Sequence, residues 1–437
     1  MLTEWLCLPL EQGPLEIIDG DRGKNYPKRV EMSASGFCLF LNAGNVTKDG
    51  FSFSDCSFIS TTRDELLRKG KLKRQDVVLT TRGTVGNVAF YNSAPSFEHI
   101  RINSGMVILR ADQRELLPEY LYQFMRSNVF RNQMRSLTTG SAQPQLPIRD
   151  INRIEMPLPP LPEQKDIAHI LGALDDKIEL NRQMNQTLEA MARAIFKSWF
   201  VDFDPVHAKL ARSDDRRSHV EGSNGEPYPL DTETLALFPD RFVDSELGEI
   251  PEGWEVGTIA GIAKITSGKR PNERSNEQSE EMSVPLFGGG GQMAYVSEPL
   301  YTQPFVLTGR VGTLGKIFRI SFPCWPSDNT LIAFPNESQQ FEYLYFCMNR
   351  IDFGALNRGS TQPLVTQGDL KQQPFVVPDS RSVEAFHEIV VSLFKKCDAN
   401  DEESRTLAEL RDTLLPKLIS GELRVPEVEN MTEELTA

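Results

Sequence analysis

The chain repeats itself at long range, and few architectures allow that. EYLYQFM at 119–125 returns as EYLYFCM at 342–348, an offset of 223 residues. GSAQPQLPIRDI at 140–151 returns as GSTQPLVTQGDL at 359–370, an offset of 219. RGTVGNV at 82–88 resembles RVGTLGKI at 310–317, with Gly83-Thr84 matching Gly312-Thr313 and Gly86 matching Gly315. Trp5 has a counterpart in Trp254. The offset drifts along the copy, so the copies differ by insertions and deletions in their early loops. Solenoid repeats are roughly 20–50 residues long; a period this much longer means two similar domains in tandem. The 437 residues leave room for two or three domains of about 150 residues each.

Each copy ends in a long helix. After the Pro-rich stop MPLPPLPEQ (156–164), residues 163–200 contain no Pro and one Gly. Ile167, Leu171, Leu174, Ile178, Asn181, Asn185, Leu188, Ala192, Ile195 and Trp199 step by fours and threes, which is a heptad seam. In the second copy Phe386, Val390, Leu393, Cys397, Asn400, Ser404, Leu407, Arg411, Leu414 and Leu418 step the same way, over a helix expected at 383–420. Asn181 and Asn400 are equivalent and should fix register at some cost in stability. Two such helices at matched places in a repeat are expected to pair as an antiparallel coiled coil. A rod of that kind would hold the two globular copies at its ends.

Short apolar runs, DVVLTT (76–81), MVILR (106–110), PFVLTG (304–309) and TLIAF (330–334), read as strands broken by Gly turns. EYLYQFMRS and EYLYFCMNR read as helices. The expected class is mixed α/β (α+β), with globular domains at 1–155 and 246–378, helical spacers at 156–203 and 379–424, and an acidic tail at 425–437. The stretch 204–245 is rich in Pro, Gly and charge and reads as an extended connector. Its most mobile part is expected at SHVEGSNGEPYP (218–229).

Composition excludes several classes. No apolar run approaches the ~18 residues of a membrane span. The start MLTEWLCLPLEQG shows no basic n-region and no long apolar h-region, so no export signal is expected. Six scattered Cys without a C-x-x-C pair and five isolated His argue against disulfides and a metal site, and fit a reducing cytoplasm. The net charge of −14 is adverse to nucleic acid taken whole, yet it is unevenly spread. Residues 63–110 hold 9 basic and 4 acidic side chains, net +5. Whole-chain charge says little about one face.

Catalytic motifs fail on inspection. FGGGG (287–291) fits a loop some methyltransferases use, but no N-P-P-[FY] or D-P-P-Y element accompanies it. GRVGTLGKI (309–317) approaches a phosphate loop, but Arg310 replaces a required Gly and Ile317 the Ser/Thr. Glu163-Gln164-Lys165 sits on a helix start, where Glu is an ordinary early-turn residue. No catalytic residue and no metal ligand is assigned.

Recognition remains. TTRGTVGNV (80–88) and LTGRVGTLGKI (307–317) each place Arg, Thr and Gly in a tight loop after an apolar strand. Arg82, Thr84, Arg310 and Thr313 could there offer guanidinium and hydroxyl groups to DNA phosphate. Ser141 and Gln143 in GSAQP, and Ser360 and Gln362 in GSTQP, add hydroxyls and amides. What both copies share cannot read two different sequences, so base readout belongs where they diverge. The divergent basic segments are DGDRGKNYPKRVE (19–31), with Lys24, Asn25, Lys28 and Arg29, and SGKRPNERSNEQ (267–278), with Lys269, Arg270, Asn272 and Arg274. Arg, Lys and Asn suit base edges in the major groove.

The two GS-x-QP segments, with MPLPPLPEQKDIAHILGALDDKIELNRQMNQTLEAMARAIFKSWFVDFDPV (156–206) and LFPDRFVDSELGEIPEGWEV (237–256), resemble the specificity subunit of type I restriction–modification systems. The resemblance covers essentially the whole chain. It implies two target-recognition domains separated by two helical spacers, and a DNA-binding, non-catalytic subunit. Two modification subunits would carry S-adenosylmethionine and methylate adenine; restriction subunits would carry ATP and Mg. The second spacer departs from the first: SRSVEAFHEIVV stands where LPEQKDIAHILG does. A stand-alone S-adenosylmethionine-dependent enzyme built on FGGGG and a coiled-coil adaptor without DNA binding are the alternative readings.

Overall fold

The computed structural model describes residues 5–138, 144–213, 232–359 and 361–425. It divides into two compact units, Met1–Asn181 with Asp401–Ala437, and Arg182–Asn400.

In the first unit, β1 (Leu15–Asp19), β2 (Val77–Thr80), β3 (Val88–Phe90) and β4 (Met106–Ala111) form one antiparallel sheet in the order β1-β4-β2-β3. Val77–Leu79 of DVVLTT and Met106–Leu109 of MVILR are apolar without alternation because both faces are covered. Val77, Leu79, Val107 and Leu109 share a core with Leu121 and Phe124 of α1 (Pro118–Arg126). Val78 and Ile108 point the other way, into a core with Leu39, Tyr91 and Ile100. Leu39 and Ile100 belong to a small sheet in which Cys38–Phe40 pairs parallel with Ile100–Arg101 and antiparallel with Phe58–Ile59. Strands Leu6–Pro9 and Glu155–Leu158 pair antiparallel, so the chain enters and leaves this globular part side by side. It then runs into α2 (Leu161–Phe200). The buried Gln164 pins the start of that helix: its amide accepts from Leu117 N at 2.8 Å and donates to Glu115 O at 2.9 Å and Pro159 O at 2.8 Å.

The second unit repeats this plan. β5 (Ala263–Ser267), β6 (Phe305–Gly309), β7 (Ile317–Ile320) and β8 (Thr330–Pro335) make an antiparallel sheet in the order β5-β8-β6-β7. Val306, Leu331 and Ala333 pack with α3 (Phe341–Asn349), and Phe305, Leu307 and Ile332 fill a second core. The small sheet recurs as Val284–Gly288 with Gly291–Val296 and, parallel, Trp325–Pro326. Glu255–Thr258 and Pro374–Val377 close the globular part. The chain then enters α4 (Ser380–Ser420).

None of the expected seam residues of α2 and α4 is exposed. In the first unit Asn181 Nδ2 donates to Glu403 Oε2 at 2.9 Å and Ser404 Oγ at 3.3 Å. In the second, Asn185 Nδ2 donates to Cys397 O at 3.2 Å, and Asn400 Nδ2 donates to Asn185 Oδ1 at 2.8 Å. Rising numbers in α2 meet falling numbers in α4 within each unit, so the pairing is antiparallel. The seam is aliphatic in the first unit, where Ile167 and Leu171 share a core with Leu415 and Leu418. It is aromatic in the second, where Phe200 and Trp199 pack on Phe386 with ring centroids 5.2 Å and 6.2 Å away. Aromatic pairs of this kind add about 0.5–1.5 kcal/mol each beyond burial.

One expectation is corrected. Residues 204–213, expected to be extended, form the helix Asp204–Ser213. Ser198 Oγ donates to the Asp204 carboxylate at 2.7 Å, and Val206 is fully buried, so a tether at the first helical residue and an apolar face outweigh the charge of the segment. Further on, Thr232–Ala236 is helical and Phe242–Ser245 pairs with Gly248–Pro251 in a hairpin. The stretch 218–229 and the tail from 426 onward lie outside the described residues.

Candidate nucleic-acid interface

Strands β1 and β2 run opposite to β4, so the ends of β1 and β2 and the start of β4 share one end of the sheet. The same holds for β5, β6 and β8. Backbone hydrogen bonds at that end align the two units residue by residue. Thr81 N donates to Gly105 O, and Arg310 N to Asn329 O, both at 2.8 Å. Leu146 N donates to Thr81 O at 3.0 Å, and Val365 N to Arg310 O at 2.9 Å. Thr81 therefore matches Arg310, Arg82 matches Val311, and Gly105 matches Asn329. The turn glycines fall into line, with φ of 75° at Gly83 and 82° at Gly312, and 94° at Gly86 and 78° at Gly315. A left-handed φ is what Gly tolerates and side chains resist.

A second matched pair opens the divergent loops. A Cβ on Gly20 would lie 2.1 Å from Asn103 O, and one on Gly268 would lie 2.1 Å from Ser327 O. Two residues beyond each glycine stands an arginine. Arg22 Nη2 donates to Ser104 O at 3.3 Å and contacts Asp19 Oδ1 at 3.1 Å. Arg270, Asn272 and Arg274 line a cleft of about 430 Å³ with Ser327, Asp328 and Asn329. Only Arg270 of that matched pair stands out in the composition of the loops; the shared Gly-x-Arg spacing, GDR at 20–22 and GKR at 268–270, is the signal for Arg22.

In the first unit Lys24, Lys28, Arg29, Arg82 and Thr84 are exposed. Asn25 is not a free reader: its Nδ2 donates to Leu66 O at 3.2 Å, and its own carbonyl accepts from Arg63 Nη1 at 3.3 Å. Glu31 accepts from Lys28 N at 2.8 Å and pairs with Arg63. The Lys28 amide, then the Arg63 guanidinium, hold that carboxyl below the usual range. Tyr26 meets Phe40 edge-on at 5.6 Å. The loop is thus fastened from below, which presents Lys28 and Arg29 outward on a short 3-10 turn.

In the second unit Lys269, Arg270, Asn272, Arg274, Thr313 and Gln362 are exposed. Gln362 sits at the Gly312 turn, its Nε2 3.8 Å from where a Gly312 Cβ would be. Arg310 differs from Arg82. It stands one register position earlier, is half-buried, and its Nε is buried without a hydrogen-bond partner among the described residues. Ser141, Gln143 and Ser360 lie outside the described residues. Gly289 of the FGGGG run has a packing cause. A Cβ on Gly289 would lie 2.7 Å from Gly309 Cα, and one on Gly309 would lie 1.7 Å from Thr313 O. Among the described residues no cluster of His, Cys, Asp and Glu could hold a metal ion, and no helix is long and apolar enough to cross a membrane.

Residues 15–190 and 251–410 match the family described as the Type I restriction modification DNA specificity domain. The chain belongs to this family. It is a specificity subunit, not a catalytic one. Relatives include the specificity subunit of the type I restriction enzyme HindI from Haemophilus influenzae, 25% identical over 454 residues, with 92% of this chain and 98% of the relative covered. The MjaIX specificity subunit of Methanocaldococcus jannaschii is 26% identical over 381 residues, covering 80% and 78%. The crystal structure of a type I S subunit from M. genitalium shares the fold, with a TM-score of 0.52, 17% identity and 96% of each chain covered.

Proposed function

We propose that each unit reads one half of a bipartite DNA site, and that base pairs between the halves go unread. The observation that carries this is the repeated edge. Both units hold Gly20 or Gly268, the two turn glycines and an arginine in the same register, while the exposed side chains around them differ. A shared frame with divergent tips is what two readers of different sequences need. The paired helices α2 and α4 tie the readers together and offer a surface to two modification subunits. Those subunits supply S-adenosylmethionine and take one adenine per half-site out of the stack. ATP-dependent restriction subunits, with Mg, complete the complex in the cytoplasm. Basic partner surface offsets a chain whose own net charge is −14.

The test is the methylome of cells with and without this gene, supplied with its modification subunit. New adenine methylation in a split motif is expected. A continuous motif, or no new methylation, rejects the reading.

A further inference from the structure

The register of the two recognition edges separates side chains that the units share from side chains that they exchange. Arg22 and Arg270 are shared. They follow matched glycines by the same spacing and lie against the matched loops 103–105 and 327–329. The neighbouring position is exchanged. In the first unit it holds Arg82 beside Gly105, and a Cβ on Gly105 would lie 3.6 Å from Arg82 Cβ. In the second unit the same two places hold Val311 and Asn329. The polar side chain thus comes from one loop in the first unit, as Arg82, and from the adjacent loop in the second, as Asn329. Arg82 and Asn329 are both exposed, and neither makes a side-chain hydrogen bond or ion pair that ties it down among the described residues.

We infer a division of labour: Arg22 and Arg270 grip phosphate, whereas Arg82 and Asn329 each read one base, a guanine in the first half-site and an adenine in the second. A side chain common to both units cannot distinguish two different half-sites, and phosphate contacts are the part of a DNA interface that carries no sequence information. An arginine fork matches O6 and N7 of guanine, and an asparagine amide matches N6 and N7 of adenine. Gly105 has no side chain to crowd the base of Arg82. Val311 leaves the amide of Asn329 without a bulky charged neighbour at that position. The inference rests on the bipartite-DNA reading.

The experiment uses the chain assembled with its modification subunits. Motifs are read from methylated genomic DNA, and binding to oligonucleotides is measured across a salt series. Arg82→Ala should relax one G·C position of one half-site, lowering discrimination there roughly 5- to 150-fold, and leave the other half-site intact. Arg82→Lys should relax it too, because a lysine keeps the charge but lacks the fork. Asn329→Ala should relax one A·T position of the other half-site. Arg22→Ala and Arg270→Ala should keep both half-sites and make the slope of log K against log salt shallower by about 1 each. If Arg22→Ala or Arg270→Ala relaxes a base position, or Arg82→Ala and Asn329→Ala leave every position unchanged, the division of labour is wrong. A wild-type complex without a split motif rejects the DNA reading itself. An intact wild-type motif that these variants do not move rejects only this inference.

Discussion

Asp175 of α2 and Arg411 of α4 meet at 2.9 Å. The same carboxylate pairs with Arg126 of α1 and accepts from Gln123 Nε2 at 3.0 Å. One side chain therefore joins the globular part of the first unit to both helices of its seam. Burial works against the charge of Asp175, but Arg126, Gln123 and Arg411 more than reverse that and hold the carboxyl below its usual range.

Asp175→Asn should destabilise the first unit by about 2 kcal/mol at neutral pH, since it leaves Arg126 and Arg411 without their shared anion. The effect depends on pH in a set direction. A carboxyl with a lowered folded pKa contributes fully above its unfolded value of about 3.9, and that contribution fades as pH falls below it. Urea midpoints of the wild type and Asp175→Asn should differ clearly at pH 7 and draw together near pH 3. A gap that stays constant down to that pH would mean the charge is not what matters.

The matched glycines make a second expectation. Gly20→Ala and Gly268→Ala each drive a methyl group to 2.1 Å from a backbone carbonyl, so each loop must shift, at about 2 kcal/mol. Gly172→Ala in α2 has nothing within 4 Å and should stabilise by up to about 1 kcal/mol. Melting curves check the stability order. Methylation motifs check the rest: Gly20→Ala should weaken recognition of one half-site and Gly268→Ala of the other. Equal loss at both half-sites from either variant would contradict the matching.

Much of this fold was legible in the chain itself. The runs at 76–81, 106–110, 304–309 and 330–334 overlap the four central strands because buried strands in a doubly covered sheet must be apolar. The heptad steps located both long helices within three residues of their observed starts, Leu161 and Ser380. The helix Asp204–Ser213 was hidden because the Pro, Gly and charge of the whole stretch 204–245 dominate its composition, while the Ser198–Asp204 hydrogen bond and the buried Val206 hold this part of it. The recognition edge was half legible. Pairing the arginines of the two Gly-turn loops overlooks that RGT and RVGT differ by one residue, and only the backbone register shows Arg310 turned inward where Arg82 is exposed. The cause of FGGGG could not be read locally, because the backbone that crowds Gly289 lies twenty residues on, at Gly309.

The polar seam of the second unit supplies a third expectation. Asn400 donates to Asn185 at 2.8 Å in the seam between α2 and α4. Asn400→Leu alone puts a methyl group against the half-buried amide of Asn185 and should destabilise. Adding Asn185→Leu should recover part or all of that loss, since leucines at both places pack as ordinary seam residues. The coupling between the two substitutions should be about 1 kcal/mol, measured as a double-mutant cycle by urea unfolding. Strictly additive effects would show that the two amides do not act as a pair.

The last expectation concerns modularity, and the strand pairing says where to cut. Leu6 is the register partner of Leu158, and Glu255 that of Val377. Each globular part therefore begins and ends at adjacent points of one antiparallel pair, so it can be removed and replaced without stretching the chain. Replacing residues 6–158 with the corresponding piece of a related subunit should change one half-site and leave the other as it was. Placing a second copy of residues 255–377 there should make the two half-sites read the same sequence. The shared sheet order and the matched glycines are what allow either unit to accept the other's edge. Sequencing of methylated DNA reads the outcome directly. If the first replacement alters both halves, the units do not read independently, and residues outside the exchanged pieces must contribute to recognition.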